Sequence, residues 1–256
     1  MQIGFLRRRR RVVLPHSKMN STPFRILCAS VFLSGAAAAK AQGDLGLFTG
    51  QGDVGTVSRP GTGVLDPARG TYTVGASGAN MWFKEDAMHY VWKKASGDIS
   101  IAADVEFAGT SAQPHRKACL VIRQSLEPGS PYVDVAKHGD GLTSLQFREA
   151  QEGVTKEIQS NLAAPKRVRL DKIGDTVYLS VAREGEEPHP SGAFFRLRLS
   201  DPFYVGLAVS AHDDKAFETA VFSHVEVGAA TPAAAVPQAG LKIITLPSGD
   251  QRVSDR

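Results

Sequence analysis

Residues 99–107 read Ile-Ser-Ile-Ala-Ala-Asp-Val-Glu-Phe, and this alternation constrains the fold more than any other stretch. Ile99, Ile101, Ala103, Val105 and Phe107 fall on one side of an extended chain, with Ser100, Asp104 and Glu106 on the other. Side chains repeat every two residues in a strand, so this pattern describes a strand with one face covered and one wet. Shorter β-prone runs recur at 71–77, 87–93, 117–125, 131–138, 142–149, 154–160, 166–172, 175–183, 193–199, 203–211 and 217–227. Gly, Pro, Asp and Asn separate them. The run 117–125 is apolar on both faces at its centre, as expected of a covered central strand. Gly139-Asp140-Gly141 joins two runs as a hairpin turn. No long amphipathic helix is legible. Many short strands at this spacing predict an all-β sandwich or barrel.

The charge pattern separates the chain into a leader and a body. The whole sequence carries 30 Lys+Arg against 26 Asp+Glu. Residues 1–41 hold eight of the basic residues (Arg7–Arg11, Lys18, Arg25 and Lys40) and no acid, leaving 22 bases against 26 acids in residues 42–256, a formal charge of −4. The excess of positive charge therefore belongs to the leader, and a nucleic-acid-binding role is not expected of the body. Residues 26–39 form an apolar run too short to span a bilayer comfortably, followed by Ala39-Lys40-Ala41. A basic segment, an apolar segment and an A-x-A site predict a signal peptide covering 1–41, with Gln42 as the new N-terminus. Met19 offers an alternative start, which would make 1–18 an extension of the reading frame. The expected product is exported, periplasmic or secreted, with no transmembrane segment once the leader is removed. Beyond the leader only Cys119 remains, so neither an internal disulfide nor a cysteine-rich zinc site is available.

A set of short motifs carries a family resemblance. They are Asp53-Val54-Gly55, Gly70-Thr71-Tyr72, Asn80-Met81-Trp82, His89-Tyr90-Val91-Trp92-Lys93 with Ser96-Gly97-Asp98, and Arg116-Lys117-Ala118. Then come Ile122-Arg123-Gln124-Ser125, Tyr132-Val133-Asp134-Val135, His138-Gly139-Asp140-Gly141-Leu142 and Leu145-Gln146-Phe147-Arg148. Phe203-Tyr204-Val205-Gly206-Leu207, Ser210-Ala211-His212 and Ala220-Val221-Phe222-Ser223 close the series. Together, over residues 53–227, they resemble the regulation-of-enolase-like module of the concanavalin A-like class. That resemblance implies a two-sheet antiparallel jelly-roll sandwich, of a kind often placed before a TolB-like β-propeller in exported bacterial proteins. It implies no reaction. On this reading residues 42–228 form the sandwich and 229–239 an Ala/Pro linker. Residues 240–256 are a tail whose Leu241–Leu246 looks like a first propeller strand, with too little chain after it to complete a blade.

The residues with chemistry to offer gather on the hairpin 131–149 and its neighbour. Asp134 and His138 project from one side of a strand; Gln146 and Arg148, with Ser144, project from one side of the next. Arg123 joins them from run 117–125. Two readings stay open: a polar groove for a carbohydrate with Trp82 at its edge as a stacking platform, or a solvated face of cross-strand Asp–Arg pairs contributing little. Tyr90, Trp92 and Tyr132 are further aromatic candidates, but Trp92 shares a period-two face with Met88 and Tyr90 and is expected in the core.

Catalytic and metal patterns are missing. No His-x-His or His-Glu-x-x-His occurs among His89, His115, His138, His189, His212 and His224. His212-Asp213-Asp214 and Asp140 are read as turn residues rather than cation ligands. Glu85 and Asp86 are adjacent, so they point to opposite faces; no glycosidase-type carboxylate pair is legible. Cys119 lies in an apolar run and reads as buried packing. No cofactor is implied. The expected function is an exported, non-catalytic module binding carbohydrate or a cell-envelope glycan. The alternatives are a protein-interaction module docking a propeller or envelope partner, and a glycoside-active enzyme without a recognisable motif.

Overall fold

The computed structural model describes residues 43–230 and the backbone of two short later strands. The predicted signal peptide, nearly all of the predicted linker and most of the tail lie outside the described residues. In chain order the strands are β1 (Gly50–Val54), β2 (Thr62–Asp66), β3 (Thr71–Gly78), β4 (Met81–Trp82), β5 (Glu85–Asp86) and β6 (Met88–Ala95). There follow β7 (Ile99–Ala108), β8 (Lys117–Arg123), β9 (Tyr132–His138), β10 (Thr143–Arg148), β11 (Lys156–Gln159) and β12 (Arg167–Ile173). The series ends with β13 (Thr176–Ala182), β14 (His189–Arg196), β15 (Phe203–Ser210), β16 (Asp213–Gly228), β17 (Lys242–Thr245) and β18 (Gln251–Ser254).

Two seven-stranded antiparallel sheets carry the fold. One runs β1-β6-β15-β8-β9-β10-β11 and the other β14-β13-β12-β7-β16-β3-β2. Strands distant in sequence lie side by side, which makes this a two-sheet antiparallel jelly-roll sandwich. β4 and β5 form a separate two-residue hairpin, and β17 pairs with β18.

Alternation decides what lies between the sheets. From the first sheet Val91, Leu120, Ile122, Val133, Val135, Leu145, Phe147, Val205 and Leu207 point inward; from the second come Val74, Ile101, Val105, Val168, Leu170, Val177, Leu179 and Phe222. Ile99, Ile101, Val105, Leu120 and Ile122 are buried as the pattern predicts. Phe107 is only half-buried, because it sits near the end of β7 and packs against the rim of the core. Arg116 covers its ring, with the guanidinium 4.4 Å from the centroid.

The first sheet has a second apolar layer on its outer face, formed by Val54, Met81, Met88, Tyr90, Cys119, Val121, Tyr132, Ala136 and Ala208. Alternation already places Met88, Tyr90 and Trp92 together on that face. Trp92 is half-buried there rather than in the central core, packed against Tyr90 and Tyr204 at ring separations of 5.4 and 6.2 Å. Gly50 and Gly52 of β1 make room for it: a β-carbon at Gly50 would stand 2.8 Å from the indole nitrogen.

Among the described residues five strands escape the sequence reading: β1, β2, β4, β5 and β18. β1 and β2 are short and rich in Gly or Thr, and β4 and β5 are only two residues long, so they lack a clear period-two signal. The strand expected at 193–199 runs instead from His189 to Arg196. Its pairing with β13 shifts register between Tyr178 and Ser180, and such an irregularity interrupts simple alternation.

Ile101 is wholly inaccessible within the central cluster. Ile101→Ala is expected to cost about 2–5 kcal/mol, the range for emptying a buried aliphatic site, as a lowered urea midpoint with unchanged slope.

Candidate functional site

Cross-strand register assembles the polar outer face of the first sheet. Arg123, Tyr132 and Arg148 are direct neighbours in one row across β8, β9 and β10. Val121, Asp134, Gln146 and Glu157 form another row that reaches β11. Lys117 lies opposite His138 near the sheet's end. Arg123, Asp134, His138, Gln146 and Arg148 thus share one face, but they do not share one environment.

The β4–β5 hairpin covers the first row. Asp86 of β5 makes a bidentate pair with Arg148, at 2.8 Å from Nη2 to Oδ1 and 3.0 Å from Nη1 to Oδ2. Arg123 Nη2 lies 3.4 Å from the same carboxylate. Arg148 also donates to the carbonyls of Gly153, Pro128 and Ser130 and to Thr155 Oγ1. Its guanidinium lies over the Tyr132 ring, 4.9 Å from the centroid. Arg123 donates to the carbonyls of Ser125 and Glu127 at 2.7 and 2.6 Å. Burial pushes the Asp86 carboxyl upward, while the Arg148 bond and the charges of both arginines pull it down. The two-pronged geometry uses both oxygens as acceptors, so Asp86 is the carboxylate. Both guanidiniums are fully buried and committed to internal partners, and neither faces a ligand.

Asp134 lies beneath the surface with no exposure. Neither of its oxygens makes a hydrogen bond of normal geometry. Burial raises its carboxyl well above the usual range, the Lys117 charge opposing, and the nearby Cys119 thiol and Gln146 amide favour the ion only weakly. Cys119 is itself a buried thiol pushed upward by burial.

Past Asp134 the face opens into a pocket of about 400 Å³ lined by Asn80, Trp82, Phe83, His115, Lys117, His138, Leu142, Gln146, Glu157 and His212. Lys117 is almost inaccessible, and its Nζ donates to Asn80 Oδ1 at 2.7 Å. Burial lowers its pKa, opposed by surrounding acidic groups. Burial, and next the Lys117 charge, push His138 down to about 4, so its ring is neutral at pH 7. Its Nδ1–H donates to the Leu142 carbonyl at 3.1 Å, which leaves Nε2 to accept from the Gln146 amide at 3.4 Å. Gln146 Nε2 also reaches Ser144 Oγ at 3.4 Å, so the amide turns its oxygen away, and Gln146 Oε1 has no partner. His212 Nδ1 is likewise buried without one. His115 lies near both rings, tilted against His212 at 5.1 Å and edge-on to His138 at 6.3 Å. Among the described residues no group of His, Cys, Asp and Glu has the arrangement to hold a metal ion.

Two pocket residues adopt left-handed backbone: Phe83 at φ 51° and His212 at φ 57°. Such conformations are costly for residues with a β-carbon, and they cluster where function needs them. At Phe83 the cause is visible. Its carbonyl accepts from Thr155 N–H at 3.0 Å, from Thr155 Oγ1 at 3.1 Å and from Arg148 at 3.3–3.4 Å. The carbonyl is pulled inward, and the ring is left 64% exposed at the pocket's rim beside half-buried Trp82. A second hollow of about 450 Å³ lies against Thr56, Ala79, Lys84, Glu85 and Ala87, sharing Asn80, Trp82 and Phe83 with the first. None of its lining atoms is a buried polar orphan.

The sequence-derived set thus divides. Trp82, His138 and Gln146 line the pocket, whereas Arg123, Asp134 and Arg148 are internal. Phe83, His115, Lys117, Glu157 and His212 join the pocket without having been singled out. Lys117 was legible in principle: it shares a period-two face with Cys119 and Arg123. His115 and His212 sit in separate loops, and only the tertiary fold brings them together.

No family model matches the sequence, and no curated protein matches it. Solved structures with a similar fold include a functionally unknown protein from Saccharomyces cerevisiae, at a TM-score of 0.50 and 12% identity over 69% of this chain and 100% of that one. The alginate lyase from Klebsiella pneumoniae gives 0.42 and 10% over 67% and 85%. Alginate lyase A1-II′, a member of polysaccharide lyase family 7, gives 0.42 and 9% over 65% and 82%. At these identities the likeness is one of fold alone.

Removing one member of a buried ion pair strands the other, at a cost of about 3–5 kcal/mol. Arg148→Met is expected to destabilise by that amount in urea unfolding. Asp134 gives a pH signature. Its folded pKa lies above its unfolded value, so its contribution is fully present below the unfolded pKa and is lost as pH rises towards the folded one. Asp134→Asn is expected to flatten the fall in melting temperature as pH rises above about 4, the unfolded carboxyl pKa at which the window opens, relative to the parent. Parallel slopes in the two proteins would contradict this.

Proposed function

We propose that this chain is an exported, non-catalytic binding module whose ligand is a carbohydrate or a cell-envelope glycan. The observation that carries the reading is the pocket: an aromatic rim of Trp82 and Phe83 above a polar floor in which Gln146 Oε1 and His212 Nδ1 have no internal partner. Sugars combine an apolar C–H face with a fringe of hydroxyls that both donate and accept. A flat ring beside unpaired amide and imidazole groups matches that combination. Buried polar atoms without partners are unfavourable in the empty protein, and a ligand hydroxyl relieves them.

Hydrolysis at this site is not part of the proposal. A glycosidase needs two carboxyl groups flanking the scissile bond. Glu157 is the one acid among the residues lining this pocket, and Asp86 is held between two arginines behind the hairpin.

A glycan array probed with the full chain is expected to give sugar-dependent binding. Trp82→Ala and Gln146→Ala are expected to weaken it at least tenfold, on the order of one stacking or hydrogen-bonding contact, with little change in melting temperature. A blank array together with a specific protein captured in pull-down would replace this reading with the protein-interaction alternative.

A further inference from the structure

We propose that the pocket selects a carboxylate-bearing sugar, with Lys117 receiving the carboxylate and Gln146 Oε1 accepting from a neighbouring hydroxyl. This rests on the glycan-binding reading above and names the class of glycan.

An ammonium group has three donors. Lys117 spends one on Asn80 Oδ1, a neutral acceptor that is also held by the Met81 amide at 2.8 Å. Among the described residues no carboxylate lies within 4.0 Å of Lys117, although its side chain is only 3% exposed. A charge this deep normally has an ionic partner, because removing it from water is costly otherwise. Here the ammonium lines a cavity instead. Histidines His115, His138 and His212 make up much of the remaining wall, and His138 is neutral. The acidic groups that act on the ammonium, Asp134, Glu157 and Asp86, do so from beyond ion-pair distance, so its contact position stays open to a ligand acid.

The other polar groups set what must accompany the acid. Gln146 is 1% exposed, lines the same cavity and carries a buried side-chain oxygen without a partner. That oxygen cannot bind a carboxylate, since both are acceptors; it calls for a hydroxyl donor. One carboxylate, at least one adjacent hydroxyl and an apolar face for the Trp82–Phe83 rim describe a hexuronate residue better than a neutral hexose or an inorganic anion.

The test compares acid and ester forms of the same sugars. Oligosaccharides of glucuronate, galacturonate and mannuronate, each with its methyl ester, are titrated calorimetrically into the full chain. At least one acid is expected to bind about tenfold or more tightly than its ester, the scale of one charge-assisted contact, and the preference is expected to fall as salt is raised. Lys117→Gln is expected to abolish the preference, the acid falling to the level of its ester. Because Lys117 is buried, that variant can fail to fold; the acid–ester comparison and its salt dependence in the parent protein then decide alone. If neutral glycans bind and no acid exceeds its ester, the carboxylate proposal is overturned and the binding-module reading stands. If no glycan binds, acidic or neutral, both fall.

Discussion

The ionic contact of Asp86 with Arg148 and Arg123 governs how the outer face of the first sheet is used. Two arginines on alternate strands flank Tyr132 in one row, and two buried cations side by side are untenable without an anion. Asp86 supplies it from outside the sheet, on a hairpin only two residues long in each strand. The hairpin has too few backbone pairs to hold itself, so the ion pair and the buried Met81 anchor it. The same arginine orders the Phe83 carbonyl and hence the direction of the exposed ring. A structural charge cluster and the pocket rim are therefore built from one side chain.

That arrangement divides the sheet face into a closed half and an open half. In the closed half, polar groups find internal partners and the surface is sealed. In the open half, Lys117, Gln146 and His212 stand around a cavity with hydrogen-bonding capacity left over. Asp134 lies between the two regimes: buried like the first, unpartnered like the second. Its raised pKa is the electrostatic consequence, since a lone buried carboxyl is more easily kept neutral than charged.

Left-handed backbone at Phe83 and His212 fits the same scheme. Both residues border the cavity and both have β-carbons, so each local conformation must be enforced by its surroundings. For Phe83 the enforcing contacts are the Thr155 and Arg148 hydrogen bonds. For His212 the described contacts offer no equivalent explanation.

Local pattern was enough to determine the strands that alternate strongly, their inward residues and the shared face of Arg123, Asp134, His138, Gln146 and Arg148. Period two is a property of each extended segment and needs no partner to be read. It was enough too to separate a basic first 41 residues from an acidic remainder. Only the tertiary structure decided which part of the polar face is open. Glu85-Asp86 looked like two unremarkable adjacent acids, because the value of Asp86 lies in two arginines 37 and 62 residues further along the chain. Likewise His115, Lys117 and His212 meet from a loop, a strand end and a distant strand junction, and no spacing rule within a sequence reports such a meeting. Burial and hydrogen-bond satisfaction belong to the assembled packing, so the sequence could name the polar residues but could not tell the ones sealed inside the fold from the ones that line an open cavity.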